Sequence, residues 1–282
     1  MHRLRSACGI FATAFCAAGV AIVLLVILGY VVREGIGALS LAFATQLPRP
    51  VGIPGGGVGN GIVGSAIIVG LAAVAAIPIG ALTGVFLTYF GHGPLAATVR
   101  FLSDVLAGIP SIAIGLFAYT LLVAPMGHFS AWSASFAFAI LMLPVIITTT
   151  ESAIKGVARE LYESAIALGI PPHRAIVHVI LPSARAGITT GMVLAIARVT
   201  GETAPLLFTA FGSQFWEFNP NNPMAELSLQ VFTYAISPYR SWHQQAWGGA
   251  LILIFVVVFM NLAARVLLRP GIGRRVRAPL GS

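Results

Sequence analysis

The stretch NGIVGSAIIVGLAAVAAIPIGALTGVFLTYF, residues 60–90, decides the architecture. It holds no Asp, Glu, Lys or Arg. A helix crosses the hydrocarbon layer of a bilayer with roughly 20 apolar residues. This run therefore spans with length to spare and is expected to tilt or project beyond the lipid. It lies inside an uncharged stretch over residues 50–99, and three more cover residues 7–32, 105–150 and 241–264. The run 105–150 is long enough for two crossings. Only 9% of the 282 residues are charged, against about 25% in a soluble domain. The chain reads as an all-α membrane protein.

Working outward, six spans are expected, at about residues 7–32, 60–90, 101–123, 132–150, 187–211 and 246–268. The preceding glycine run, VGIPGGGVGNG, lacks the Lys-Ser/Thr ending of a phosphate loop and reads as a flexible turn. His2, Arg3 and Arg5 mimic the start of a secretory signal. The 26-residue apolar run that follows exceeds the roughly 7–15 residues of a signal core, so an uncleaved first helix is expected. Cys8 and Cys16 fall in or beside that helix with no metal-ligand spacing and read as packing residues. The six histidines, including His92, are scattered, and no HExxH, GxSxG or P-loop motif occurs.

The net charge of +8 sits in loops and tails, a topology signal and not a nucleic-acid surface. With six spans both termini share one side. That side carries Arg3, Arg5, Arg100, Lys155, Arg159, Arg174, Arg185, Arg265, Arg269, Arg274, Arg275 and Arg277; the other carries Arg33, Arg49 and Arg240. The bias assigns residues 1–6, 151–185 and the basic tail 269–282 to the cytoplasm, and residues 33–59 to an outer loop.

The cytoplasmic stretch ARELYESAIALGIPPHRAIVHVILPSARAG, residues 158–187, reads as helix, turn, helix. Leu161, Ala165 and Leu168 share one face. Gly169 suits a left-handed helix end, Pro171-Pro172 blocks continuation, and a second helix is expected to run to Pro182. Glu163-Ser164-Ala165, three residues, Gly169, nine residues, then Val179-Ile180-Leu181-Pro182 resembles the cytoplasmic motif of bacterial ABC importer permeases, with Ser164 and Val179 as mild departures. In that family the short helix docks in a groove of the ATP-hydrolysing subunit, which assigns ATPase coupling to Glu163, Ser164, Ala165, Gly169, Leu181 and Pro182. A small residue such as Ala165 would let the partner approach closely. A surface-lying amphipathic helix is the bland alternative.

Arg198 and Glu202 are the most informative residues, a pair of charges inside the expected fifth span. Placed one residue from the midpoint of residues 187–211, Arg198 would cost about 2.5–3.5 kcal/mol against lipid, so it must face protein or water. Four residues apart on one helix, the two would share a face, in the less favourable order for a simple ion pair. A guanidinium fork binds two oxygens of an oxyanion. A carboxylate can accept the proton that phosphate retains near neutral pH and would repel a fully deprotonated anion such as sulfate. Thr200, Thr203 and Pro205 surround the pair and are expected to shape the path or to kink the helix. Asp104 is expected at the cytoplasmic interface.

The string AIARVTGETAPLLFTAFGSQFW, residues 195–216, closely resembles the fifth span of PstA-type permeases of phosphate ABC importers. LAGIPSIAIGLF (106–117) and NPMAELSLQVFTYA (222–235) extend the likeness across residues 60–268. The resemblance implies a phosphate-translocating role for Arg198 and, more weakly, Glu202. It implies no cofactor on this chain, with ATP and Mg held by partner subunits. It also implies an assembly with a PstC-type permease, two ATPase subunits and a periplasmic phosphate-binding protein in the bacterial inner membrane. Permeases for sulfate or molybdate, and a membrane scaffold without a transport path, are the competing readings.

Overall fold

The computed structural model describes residues 2–267 apart from residues 54 and 92; His92 and the tail 269–282 lie outside the described residues. Regular structure among these is helical, with one isolated bridge between Phe211 and Met224. The main helices are α1 (His2–Gly35), α2 (Gly59–Tyr89), α3 (Pro94–Gly108), α4 (Ser111–Met126), α5 (Ala131–Lys155), α6 (Arg159–Ala167), α7 (Pro172–Thr200), α8 (Leu227–Ala235) and α9 (Arg240–Leu267). Five helices are long and apolar enough to cross a membrane, or six if the bent pair α3–α4 counts as one crossing.

That pair corrects the expectation of one helix over residues 101–123. The bend is 104°, and Pro110 explains it. Proline has no N–H for the helical ladder and pushes the residue before it out of helical conformation; Ile109 is extended, at φ −70° and ψ 131°. Other prolines do not break their helices, Pro78 and Pro144 standing inside α2 and α5. Pro125 and Pro182 each follow a π-helical stretch, Tyr119–Val123 and Ile176–Ile180, by two residues. A proline clashes with the carbonyl four residues back. Here those residues, Leu121 and His178, sit inside the widened turn. The helix expected to stop at Pro182 therefore continues to Thr200.

The centre of the bundle is α2 running parallel to α5. Ser135 Oγ on α5 donates to Ile68 O of α2 (3.0 Å), while Gly80 and Gly84 let α2 ride on Ile146 and Thr150. Small residues at such crossings let helices approach closely where lipid supplies no hydrophobic drive. Around this seam Phe138, Met142, Ile68 and Leu206 are fully buried. α7 packs antiparallel on α5, with Gly187 against Ala153 and Gly191 against Thr149.

The glycine run before α2 turns at its start, with Gly52, Gly55 and Gly56 at positive φ, and packs tightly at its end. Gly57 N donates to Leu47 O (3.0 Å) and Val58 N to Phe43 O (2.8 Å). A Cβ at Gly64 would overlap the carbonyl oxygen of Ala225. At the opposite end of α2, Arg100 draws three helices together. It donates to Leu87 O (2.7 Å) and Gly91 O (3.3 Å) and pairs with Glu151 (3.0 Å), which Lys155 also reaches (2.8 Å). α1 touches the rest of the chain chiefly near its C-terminal end, where Gly35 abuts Trp247 and Tyr30 meets the Trp247 ring edge-on at 5.2 Å. Its remaining apolar surface is uncovered, and Cys16, expected to pack, is exposed. The side chain of Cys8 lies outside the described residues.

Candidate functional site

α7 carries Arg198 in its last turn. The expected continuous span over residues 187–211 is corrected. The α-helix ends at Thr200 with Gly201 as its cap, and the chain resumes as a short 3-10 helix, Ala204–Phe208. Thr200 Oγ1 turns back on Ile196 O at 2.8 Å. Pro205 thus lies outside the helix it was expected to kink.

The depth of Arg198 follows from register. Gly187 faces Ala153 and Gly191 faces Thr149, so each step up α7 matches one step down α5. Continued along the helix, this register sets Arg198 level with Met142, one residue from the centre of Ala131–Lys155. Arg198 therefore lies at mid-depth although its helix ends two residues later. Its side chain does not enter the chain's own core. Arg198 is exposed, as are Ser183, Thr190 and Leu194 along α7, and this exposed side borders the buried Ala184, Ile188, Gly191 and Ala195.

The four expected path residues separate. Arg198 is exposed, Glu202 and Thr203 are half-buried, and Thr200 is buried. With the helix ended at Thr200, Arg198 and Glu202 do not share a helix face. Among the described residues no ion pair joins them, and the Arg198 guanidinium has no side-chain partner within the chain. Its charge lies favourably at the negative end of the α7 dipole.

The segment expected in the cytoplasm is a helix-turn-helix: α6, a turn with Gly169 at φ +81°, then α7 from Pro172. Ala165 does not face outward. It is buried, its carbonyl accepts from Ile170 N (3.2 Å), and Leu161 and Leu168 are exposed. The surface presented is Ser164, Ile166, Leu168 and Glu163, the last paired to Arg159 at 2.9 Å. Leu181 is half-buried and Pro182 exposed. Asp104 is exposed on α3.

The sequence reading missed Glu226. It is completely buried and caps α8, accepting from Leu229 N at 3.0 Å. Ser65 Oγ of α2 donates to its other oxygen at 2.8 Å. An N-cap pattern, an acidic residue immediately ahead of an apolar helix, was the available signal. Glu226 lines a cavity of about 470 Å³ with Arg49, Ser213, Gln214, Gln230 and Tyr234.

A bundle of membrane-length helices with a helix-turn-helix between two of them and an exposed mid-depth guanidinium is the form of a membrane transport subunit. Residues 76–270 match the family described as the binding-protein-dependent transport system inner membrane component, and the chain belongs to that family. It is 43% identical to the phosphate transport system permease protein PstA of Yersinia pestis, over 84% of this chain and 80% of that one. It is 40% identical to a phosphate transport system permease protein PstA 1 of Mycobacterium tuberculosis, over 80% and 73%. Among solved structures, the inward-facing MetNI methionine ABC transporter shares the fold, with a TM-score of 0.64 at 18% identity over 75% of this chain and 94% of that one.

Proposed function

We propose that this chain is the permease subunit through which an ABC importer moves inorganic phosphate inward, driven by ATP hydrolysis in partner subunits. The observation that carries the reading is Arg198. A guanidinium at mid-depth, exposed on its own chain and without an internal partner, would cost about 2.5–3.5 kcal/mol against lipid. A polar passage shared with a second permease removes that cost and gives the fork an oxyanion to bind. The names of the relatives supply phosphate as that oxyanion and disfavour sulfate or molybdate. A scaffold would leave Arg198 unexplained.

In this reading Glu202 accepts the proton of a protonated phosphate, while Thr200 and Thr203 shape the wall. The α6–turn–α7 element docks on the ATPase through Glu163, Ser164 and Leu168, with Gly169 setting the corner and Ala165 holding α6 to its own chain. Leu181 and Pro182 continue the connection into the membrane. The termini face the cytoplasm of a bacterial inner membrane. The partners are a related PstC-type permease, two ATPase subunits holding ATP and Mg, and a periplasmic phosphate-binding protein.

The test is ATP-driven uptake of radiolabelled phosphate by the complex in proteoliposomes. Arg198→Gln is expected to lower uptake at least about tenfold, the loss of one charge-assisted contact. Full uptake by that variant would overturn the assignment. Glu202→Gln is expected to admit sulfate more readily relative to phosphate; unchanged discrimination removes that role from Glu202.

A further inference from the structure

Glu226 occupies a position the transport reading does not use. Four contacts surround it and its neighbour Ser228: Ser65 Oγ to Oε1 (2.8 Å), Ser228 Oγ to Oε2 (2.6 Å), Leu229 N to Oε2 (3.0 Å), and Ser228 Oγ to the carbonyl of Glu202 (3.0 Å). Each contact needs one proton. With Glu226 ionised, three are on hand: the two hydroxyl protons and the Leu229 amide proton. The Ser65 hydroxyl accepts from Leu227 N at 2.9 Å and spends its single proton on Oε1. Ser228 would then have one proton for two acceptors. A proton on Oε2 resolves the count. Oε2–H donates to Ser228 Oγ, and the Ser228 hydroxyl donates onward to Glu202 O. No metal-binding cluster and no ion pair involving Glu226 occurs among the described residues. A fully buried carboxylate without a cation is costly.

We propose that Glu226 is held as an uncharged carboxylic acid whose proton completes a chain to the Glu202 carbonyl, so that it positions the turn following Arg198. The chain joins three elements: α2 through Ser65, α8 through Ser228 and Leu229, and the turn after α7 through Glu202 O. That turn is otherwise fixed by Gly201 N to Arg198 O (3.4 Å) and Glu202 N to Val199 O (3.0 Å). Burial pushes the Glu226 carboxyl above its ordinary range, opposed by its hydrogen bonds from Ser228, Leu229 and Ser65. The titratable groups near it are Arg49 and Tyr234 on the shared cavity wall and Glu202 across Ser228; α2 contributes only the Ser65 hydroxyl.

The protonation state is read directly by difference infrared spectroscopy of the reconstituted complex at pH 7, wild type against E226Q. A protonated carboxylic C=O band present in wild type and absent in the variant is the expected result; a carboxylate pair instead would overturn the proposal. Should E226Q fail to assemble, Ser228→Ala, which removes the acceptor of the carboxyl proton, is expected to shift the same band, and an unmoved band refutes the chain. Positioning is read by transport. E226A and S228A are each expected to lower maximal phosphate uptake about tenfold and to be non-additive when combined. E226Q keeps a donor toward Ser228, but its NH2 cannot accept from Leu229 N, so its uptake is expected to fall between wild type and E226A. Additive losses, or E226Q no better than E226A, argue against positioning through Ser228. The role in transport rests on the reading of Arg198, and the arms separate: if Arg198→Gln transports normally while the infrared band persists, the path assignment fails and the Glu226 chain stands.

Discussion

Arg198 and Gly64 show two ways a single residue acts in this bundle. Arg198 matters for its charge geometry. Arg198→Lys keeps the charge and loses the planar fork, so it is expected to retain intermediate uptake, between wild type and Arg198→Gln, with the loss mainly in the apparent affinity for phosphate. Concentration-dependent uptake in proteoliposomes measures the split. Gly64 matters for its missing side chain. Gly64→Ala places a methyl group on the Ala225 carbonyl, so backbone must move. Overpacking of this kind costs about 1–3 kcal/mol, seen as a lower unfolding temperature of the purified complex. Arg198 was legible in the sequence because a charge in an apolar run announces itself. Gly64 was not, because a glycine-rich string reads the same whether it flexes or is pressed against another backbone. Glu226 was hidden by its setting: a carboxylate in a polar inter-span segment looks solvated until the packing of α2 on α8 buries it.

Among elements, the turn between α6 and α7 depends on one conformation. Gly169 at φ +81° has open space around it, so Gly169→Ala adds only the left-handed backbone penalty, about 1–2 kcal/mol. Gly169→Asn, which tolerates that region, is expected to recover most of it; thermal unfolding of the two variants distinguishes this from a steric effect. The loop beyond α7 holds a second local device. Glu217 accepts from Asn219 N at 2.8 Å, from the Asn222 side chain at 2.9 Å and from Phe218 N at 3.0 Å, and these bonds hold its carboxyl below the ordinary range. Its contribution to loop order is complete above the usual glutamate value and fades as pH falls through the lowered one. Hydrogen exchange at Phe218 and Asn219 is therefore expected to stay unchanged from pH 8 to about 5 and to show less protection only in stronger acid. The 3.6-residue pattern located helices well but not their breaks. The same residue type, proline, bends the chain at Pro110, is absorbed beside a widened turn at Pro125 and Pro182, and stands inside unbroken helices at Pro78 and Pro144, differences that no periodicity encodes.

As a whole molecule, the chain is proposed to work beside a second permease. Among the described residues α1 leaves most of its apolar surface uncovered, and Arg198 is exposed. Expressed without a second permease and extracted in detergent, it is expected to self-associate or be degraded. Co-expression with the related permease should give a single species by size-exclusion chromatography, and a stable monodisperse monomer would contradict this. The number of crossings was legible because span length is set by lipid thickness. The tertiary depth of Arg198 was reached from a helix drawn too far; the antiparallel register with α5 supplies it independently. One feature of α7 ties the two ends of the chain's work together. From Pro172 to Arg198 the helix is unbroken, roughly 40 Å at 1.5 Å per residue. Such a strut has a knuckle near its lower end, at Ile176–Ile180, and is stiff above it. Under the proposed function, torque applied at the corner below would pass through the knuckle to the guanidinium, so that a stroke of the ATPase partners would turn the ion's handhold from one side of the barrier to the other.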